Sequence, residues 1–476
     1  MSLKHTAVAL MGVLHAMFTS YYMDLFVRQY VLSTESQDSH TDDDNNYNNW
    51  ILLCFVISQL LYAMWNVTKH IVFTQTSRRL CSSVMTSIQL WRLSRCGPIW
   101  TIVFALLWFP TSVESSILFL FLNPAVQFTL MMAVYDILFS YCKAALVSAP
   151  LVRESETHYS DMGVYDILGG LGVSIAFYLR DMEGGELHAF RWVTTFFAFI
   201  AGLCFYICGF QEEKHQKPLE RAESSADNSN ELLRFTQQTM DRPSMKAAFL
   251  LWTIQGYTCA FTMCFFCLFL DMCRGNVSLP VRSLLLFLAF VAPYAVYVAT
   301  APFYRTVGKK RIISVFLILR IVLGVFFLAL ALQGFTFFPS MNSKLSTTFF
   351  LILLFSNRTL TGATRYIQHL IFRDLVDEDI VIFARAYQTT SAIHQVLEMA
   401  SKPSRSLAML LTCLFLGYIR KRNDTNSLEY IAGFTAVTIL LTSLLALWAW
   451  WRYYSIDGSH LQFVRMAVRK RADEDV

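Results

Sequence analysis

Four ionisable residues, His394, Glu398, Lys402 and Arg405, stand at helical spacing inside one long apolar run. At 3.6 residues per turn they fall on a single face. Glu398 precedes Lys402 by one turn, the better order for an ion pair, and Pro403 loosens the hydrogen-bond ladder beside it. The preceding run carries Asn357, Arg358, Thr361, Arg365 and Gln368, the last four again along one face. Smaller sets lie earlier: Tyr21 with Asp24; Asn66 with Lys69 and His70; Asp136 with Ser140 and Lys143. These groups carry charge and offer hydrogen bonds, which suits binding of a polar solute better than bond breaking. A charged side chain at the centre of a membrane helix costs about 2.5–3.5 kcal/mol on insertion scales, so it needs a partner, a water-filled cavity or a function. An internally paired stripe and a cavity-lining face both meet that need. Lys69 has the further option of snorkelling, and Asp24 of reaching the interface. The sequence holds no phosphate-binding loop, GxSxG elbow, HExxH helix or GxGxxG turn. Its His residues lack metal-ligand spacing, so no enzyme, cofactor or metal is expected.

The elements that position these residues follow from composition. The chain has 476 residues, 55% hydrophobic and 15% charged, with 40 Phe and a mean hydropathy of +0.44. A soluble domain carries about 25% charged residues, so these values exclude soluble, disordered and fibrous classes. A membrane helix needs about 20 apolar residues. Apolar runs fall at about 6–31, 50–74, 98–110, 115–149, 160–180, 188–210, 245–271, 282–304, 312–334, 346–372, 387–419 and 428–452. This predicts an all-α polytopic protein with twelve transmembrane helices, solvated by the lipid bilayer. The eleven Cys lie mostly in apolar runs and read as buried thiols. Lys and Arg concentrate in alternate loops, including Arg78-Arg79, Lys309-Lys310-Arg311 and Arg469-Lys470-Arg471. By the positive-inside rule both termini are cytoplasmic, and the net charge of +5 belongs to those loops rather than to a nucleic-acid partner. Arg180, Arg191, Arg274, Arg282 and the cluster Arg420-Lys421-Arg422 fall in the outside loops of this scheme. The plasma membrane is the expected location in preference to an internal membrane; the oligomeric state stays open. The N-terminal run has no cleavage site after it and reads as a retained first helix.

A polar stretch within 211–244, rich in Glu, Ser and Asn, divides the chain into 1–210 and 245–454, with a tail over 455–476. Six helices on either side of a long cytoplasmic linker is the plan of the major facilitator superfamily. Arg305 and Lys309, in Pro302–Arg311, look like the basic loop motif of that superfamily; simple positive-inside bias is the alternative. Gly169-Gly170-Leu171-Gly172 reads as a close-packing site for a neighbouring helix. The sequons at Asn276 and Asn423 fall in outside loops and are expected glycosylation sites.

At several of these residues the chain resembles a known family. Tyr21-Tyr22-Met23-Asp24 looks like the first helix of the glycoside–pentoside–hexuronide:cation symporters, the melibiose permease group. Lys402-Pro403 is similar to that group's lysine-containing eleventh helix, and Asp374-Leu375-Val376-Asp377-Glu378-Asp379 to its acidic cytoplasmic segment. The closer resemblance, through Ser356-Asn357-Arg358, Asp374–Asp379 and Lys402-Pro403, is to the transmembrane protein 180 family, a eukaryotic branch. The resemblance implies a sugar-contacting role for Asp24 and a charge-balancing role for Lys402. Asp374, Asp377, Arg305 and Lys309 are the candidate gating residues on the cytoplasmic side. The chain departs from the symporters where they place cation-binding carboxylates: it offers Asn66, Lys69 and His70, then Ser140, Cys142 and Lys143, with Asp136 a turn away. A Lys ammonium standing where a cation binds would neutralise the same acids, which argues against Na⁺ coupling. The reading is a secondary transporter or facilitator of a small sugar-like, anionic or zwitterionic solute. Asp24, Tyr21, Asn66, Lys143, Asn357, Arg358, Glu398 and Lys402 are its candidate binding residues. A non-transporting receptor or scaffold of the same fold, or a carrier of lipid-type solutes, is the alternative.

Overall fold

The computed structural model describes residues 3–27, 50–66, 93–109, 123–147, 155–182, 188–215, 237–332, 343–383, 389–422 and 427–474. Among them the chain forms helices joined by short turns and no strand. In lipid an unpaired backbone amide costs several kcal/mol, so apolar runs of this length close their hydrogen bonds within themselves. The helices are α1 (Leu3–Phe26), α2 (Trp50–Asn66), α3 (Leu93–Leu106), α4 (Pro124–Val147), α5 (Ser155–Met182) and α6 (His188–His215). They continue as α7 (Pro243–Cys264), α8 (Phe266–Met272), α9 (Leu279–Thr306), α10 (Lys309–Leu332), α11 (Ser343–Phe383), α12 (Thr389–Arg422), α13 (Ser427–Tyr453) and α14 (Gly458–Glu474). Helix α8 continues α7 beyond a break at Phe265.

These helices overlap each of the twelve expected runs. Five stretches, His188–Phe210, Pro243–Met272, Leu279–Tyr304, Lys309–Leu332 and Glu429–Tyr453, are long and apolar enough by themselves to cross a membrane. Their outer faces are apolar. On α6, Trp192, Phe196, Phe199, Leu203 and Phe210 recur at helical spacing and are all exposed, as are Val315, Ile318, Val322 and Phe326 on α10. Faces of this kind belong against lipid, not water.

Packing follows two groupings. Helix α1 lies on α5, and α3 lies on α6 and α4; α10 lies on α13, α7 on α12 and α13, and α9 on α11. Between the groups, α5 lies along α9, and α1 touches α7 and α8. The expected glycine site makes this seam. A Cβ on Gly169 or Gly172 would meet Ala16 or Val13 of α1, and one on Gly170 would lie 2.6 Å from the Phe290 Cβ of α9. Further along, Gly163 leaves room for the Tyr294 ring.

Three expectations change. The acidic segment Asp374–Asp379 is not a loop: α11 continues through it to Phe383. The cause is Ile371, Leu375, Val376 and Ile380, which recur at helical spacing and are buried. Residues 455–476 are not a plain tail either; Gly458–Glu474 forms α14, which packs on α11. Arg180 and Arg282, expected in outside loops, lie within α5 and α9 and are buried. The linker core 216–236, Lys69, His70, the Arg78-Arg79 pair and the Asn423 sequon lie outside the described residues.

The seam generates a prediction. Gly170→Val should lower the thermal midpoint of the detergent-purified protein, at an overpacking cost of about 1–3 kcal/mol. Gly433→Ala, whose new Cβ would sit 3.5 Å from that of Ala331 in ordinary contact, should hold or raise it.

Candidate functional site

Three polar clusters occupy successive levels of the bundle. The first stands where α1, α5 and α8 end and α9 begins. Asp24 accepts from Arg180 at 2.6 Å, and Arg180 also pairs with Asp271. Asp271 accepts from Arg282 at 2.9 Å, and Arg282 from its other arm reaches Asp181 at 2.7 Å. Arg274 adds a looser contact to Asp181 at 3.6 Å. The chain alternates in sign and joins α1 and α5 to α8 and α9. Each guanidinium fork serves two carboxylates through separate N–H arms held in one plane. Arg180 lies 5.1 Å from the Phe177 ring centroid and 5.6 Å from that of Tyr21, whose hydroxyl donates to the Val173 carbonyl at 2.6 Å. Asp24 and Tyr21 therefore sit together, but in a buried ion network rather than beside Lys402.

The second cluster lies near the middle of the helices. Asp166 of α5 accepts a hydrogen bond from Tyr366 of α11, across the seam. Arg358 and Arg365 of α11 lie within charge-interaction range of Asp166, and Arg358 packs 5.3 Å from the Phe290 ring centroid. On the neighbouring side, Tyr62 of α2 donates to Asp136 of α4 at 2.5 Å, with Asn66 and Arg405 close by. Arg358 and Arg405 both bear on Cys264 of α7, which places their guanidinium groups around the same stretch of that helix. Lys402 stands 3.7 Å from Glu398 on its own helix. Asn357 is 0% exposed, and one turn along, Gln255 of α7 donates to the Thr361 carbonyl at 2.5 Å. The side chains of Lys143, Arg305 and His394 lie outside the described side chains.

The third cluster is at the opposite end. Lys309, at the start of α10, pairs with Asp374 of α11 and donates to the Leu370 carbonyl at 3.0 Å. Asp374 also meets Arg465 of α14 at 3.2 Å. Arg242, just before α7, reaches Asp379 at 3.1 Å and Glu378 at 3.3 Å, while His460 lies 3.4 Å from Glu378. Burial raises the carboxyl groups of Asp377 and Glu378 above the usual range. The turn into α10 passes through Gly308 at φ +90°, where a side chain would be strained and would press on Asp457. Two of the expected cytoplasmic gating residues, Lys309 and Asp374, are thus in contact. Arg180, Asp181, Asp271 and Arg282 were not expected at a site, because their charges look like those of loops until the helix ends are known. Asp136 was visible as a membrane carboxylate, but the tyrosine partners of Asp136 and Asp166 on distant helices were not.

Two groups of helices meeting along a close-packed seam, with charged clusters at both ends and at mid-depth, define an integral membrane protein of the major facilitator fold. The chain belongs to the MFS/sugar transport protein family, whose model matches residues 91–458, and so to a class of secondary transporters. It is 22% identical over 515 aligned residues to Transmembrane protein 180 of Gallus gallus, covering 95% of this chain and 92% of that one. With the Mus musculus protein of the same name it shares 24% over 451 residues, 86% and 78% of the two chains. The resemblance read from the short motifs is therefore borne out. The fold matches that of a D-xylose-proton symporter at a TM-score of 0.57 and 12% identity, over 95% of this chain and 97% of that one.

Arg180 carries the first cluster, so Arg180→Leu should strip partners from Asp24 and Asp271 together. Breaking a buried ion pair from one side costs about 3–5 kcal/mol, and thermal unfolding should show a loss of that order. The double change Asp24→Asn with Arg180→Leu should recover part of it, because one uncompensated carboxylate is then gone.

Proposed function

We propose that the protein is an alternating-access carrier of a small anionic or zwitterionic, sugar-like solute, bound near the bilayer midplane between residues 1–210 and 245–454. The observation that carries this reading is the charge imbalance at the seam. Arg358, Arg365 and Arg405 converge there, opposite Asp166 and Asp136. Three guanidinium groups stand against two carboxylates there, so the surplus is positive and invites a negatively charged group. Tyr62, Tyr294, Tyr297 and Tyr366 supply hydroxyls and ring faces suited to a sugar-like skeleton. The network from Asp24 to Asp181 ties the two groups together at one end. In this reading it is the outer gate, which must break as the halves rock. Both termini are then cytoplasmic, the linker within 211–244 is cytoplasmic, and the plasma membrane is the proposed site of action. Coupling to Na⁺ is not part of the proposal, since α2 and α4 present Asn66, Lys143 and a tyrosine-bonded Asp136 where carboxylates would be needed.

Uptake into proteoliposomes tests the substrate class. Labelled sugar acids or zwitterions should enter faster than neutral sugars, and equally well in Na⁺ and K⁺ media. Arg358→Ala should cut uptake about tenfold or more, since a hydrogen bond to a charged group is worth about 1.5–3 kcal/mol. A panel in which neutral sugars alone are carried, or in which Arg358→Ala matches wild type, removes the anionic reading.

Orientation has its own test. Asn276 is exposed in the turn between α8 and α9, at the Asp24 end, and its amide donates to Thr347 at 2.9 Å. If that end is extracellular, Asn276→Gln should abolish a glycosidase-sensitive mobility shift of the protein made in animal cells. A shift that survives in Asn276→Gln and vanishes in Asn423→Gln would leave Asn276 unmodified.

A further inference from the structure

Helix α14 has two apolar faces. Leu461, Val464 and Val468 recur at helical spacing and turn to the protein. Val464 is buried, and Leu461 and Val468 pack on the core that holds Leu375, Val376 and Ile380 of α11. Arg465 and His460 flank this inner face and reach Asp374 and Glu378. Phe463 and Met466, three apart, turn the other way and are 60% and 63% exposed. An outward apolar strip on an amphipathic helix marks a second surface against which it lies.

The ion pairs fix the depth of that surface. Asp374, which meets Arg465, also pairs with Lys309 at the start of α10; Glu378, beside His460, meets Arg242 just before α7. Helix α14 is therefore level with the starts of α7 and α10, where the apolar spans of those helices begin. At the end of α13, Trp448 and Trp451 are exposed, and the Lys310 Nζ lies 5.7 Å from the Trp451 ring centroid. The same Nζ donates to the Tyr454 carbonyl at 2.6 Å, just before the turn at Gly458 that opens α14. Exposed Trp with Lys beside it belongs at the membrane–water interface.

This rim is basic. Arg311, next to Lys310, and Arg452, next to Trp451, are exposed, and the last turns of α14 carry Arg469-Lys470-Arg471. Asp473-Glu474-Asp475 follow and cancel part of that charge, so it forms a short band rather than a long polybasic arm.

We infer that α14 is an interfacial helix that lies on the surrounding bilayer, with Phe463 and Met466 in the headgroup boundary and Arg469-Lys470-Arg471 recognising anionic phospholipid headgroups. Burial of the apolar strip and attraction to negative headgroups act together on such a helix, and each alone is weak. Because the inner face of α14 holds Asp374 and Glu378, lipid that pins the helix also steadies the charged lattice at the starts of α7 and α10. The inference concerns α14 alone and stands whether or not the protein carries a solute.

The test uses the full-length protein in vesicles of phosphatidylcholine, with and without phosphatidylserine. Spin labels are placed on Phe463→Cys and Met466→Cys, both exposed positions, with the unsubstituted protein as the labelling blank. With phosphatidylserine present, both labels should be reached by oxygen and shielded from a water-soluble nickel chelate. Phosphatidylserine should also raise the thermal midpoint of the wild type by several degrees. The triple change Arg469→Gln, Lys470→Gln and Arg471→Gln should lose that rise and keep the midpoint seen in phosphatidylcholine. Labels open to the chelate in both membranes overturn the placement of α14. Shielding and midpoint that ignore phosphatidylserine, or a response that persists in the triple variant, overturn the recognition of anionic lipid. If the labels are shielded only after a soluble protein is added, the outer face binds protein and the proposal fails.

Discussion

Charge removed from water must be matched by charge, and the rest of this bundle is arranged around that constraint. The row Asp24, Arg180, Asp271, Arg282 and Asp181 meets it by sharing: Asp271 serves both arginines, and each arginine serves two acids. No member has a complete set of partners on its own helix. The helix ends of α1, α5, α8 and α9 are therefore held in one relative position, because any displacement would leave a desolvated charge without its neighbour. The small residues of α5 let this happen. With larger side chains at Gly169 and Gly170, α1 and α9 would stand off, and the carboxylates would be out of reach.

The two ends of the bundle use this constraint differently. At the Asp24 end the ion pairs cross between the two groups of helices. At the other end, Lys309, Asp374, Arg465, Arg242, Glu378 and Asp379 all belong to elements that follow residue 236, and tie the start of α7, α10, α11 and α14 to each other. The second lattice stiffens one group as a unit, while the first joins one unit to the other. Between them, Asp166 meets Tyr366 across the seam with two arginines in range, a junction of polar groups in a region that is otherwise apolar. A rigid unit, a breakable tie and a charged centre are the mechanical parts that the proposed rocking motion needs.

Glu398 and Lys402 illustrate what spacing can show. They are four residues apart on one helix, so their pairing at 3.7 Å is a local event that the residue order already contains. Lys309 and Asp374 were both named as cytoplasmic gating candidates, but no spacing showed that they would pair. The glycine run in α5 announced close packing without saying against what; α1 and α9 both turned out to use it, on different faces. The acidic stretch Asp374–Asp379 misled for a physical reason. Four carboxylates in six residues look solvated, but Leu375 and Val376 carry the helix through them, and basic partners from α7, α10 and α14 bury the acids.

Residue order alone was enough for the membrane class, the helical content, the approximate spans and the excess of buried cations over acids in the C-terminal helices. All of these depend on composition or on a period of a few residues. Three-dimensional packing decided which charges meet. Asp24 and Arg180 are separated by 156 positions and Tyr366 and Asp166 by 200, and no local pattern links them. It also separated neighbours: Asn357 and Arg358 are adjacent in sequence, yet Arg358 comes within range of Asp166 across the seam while Asn357 is 0% exposed without a link to it among the described residues, since consecutive side chains on a helix point about 100° apart. The chemistry available to each was set by the helix it faced, and that is a property of the assembled bundle.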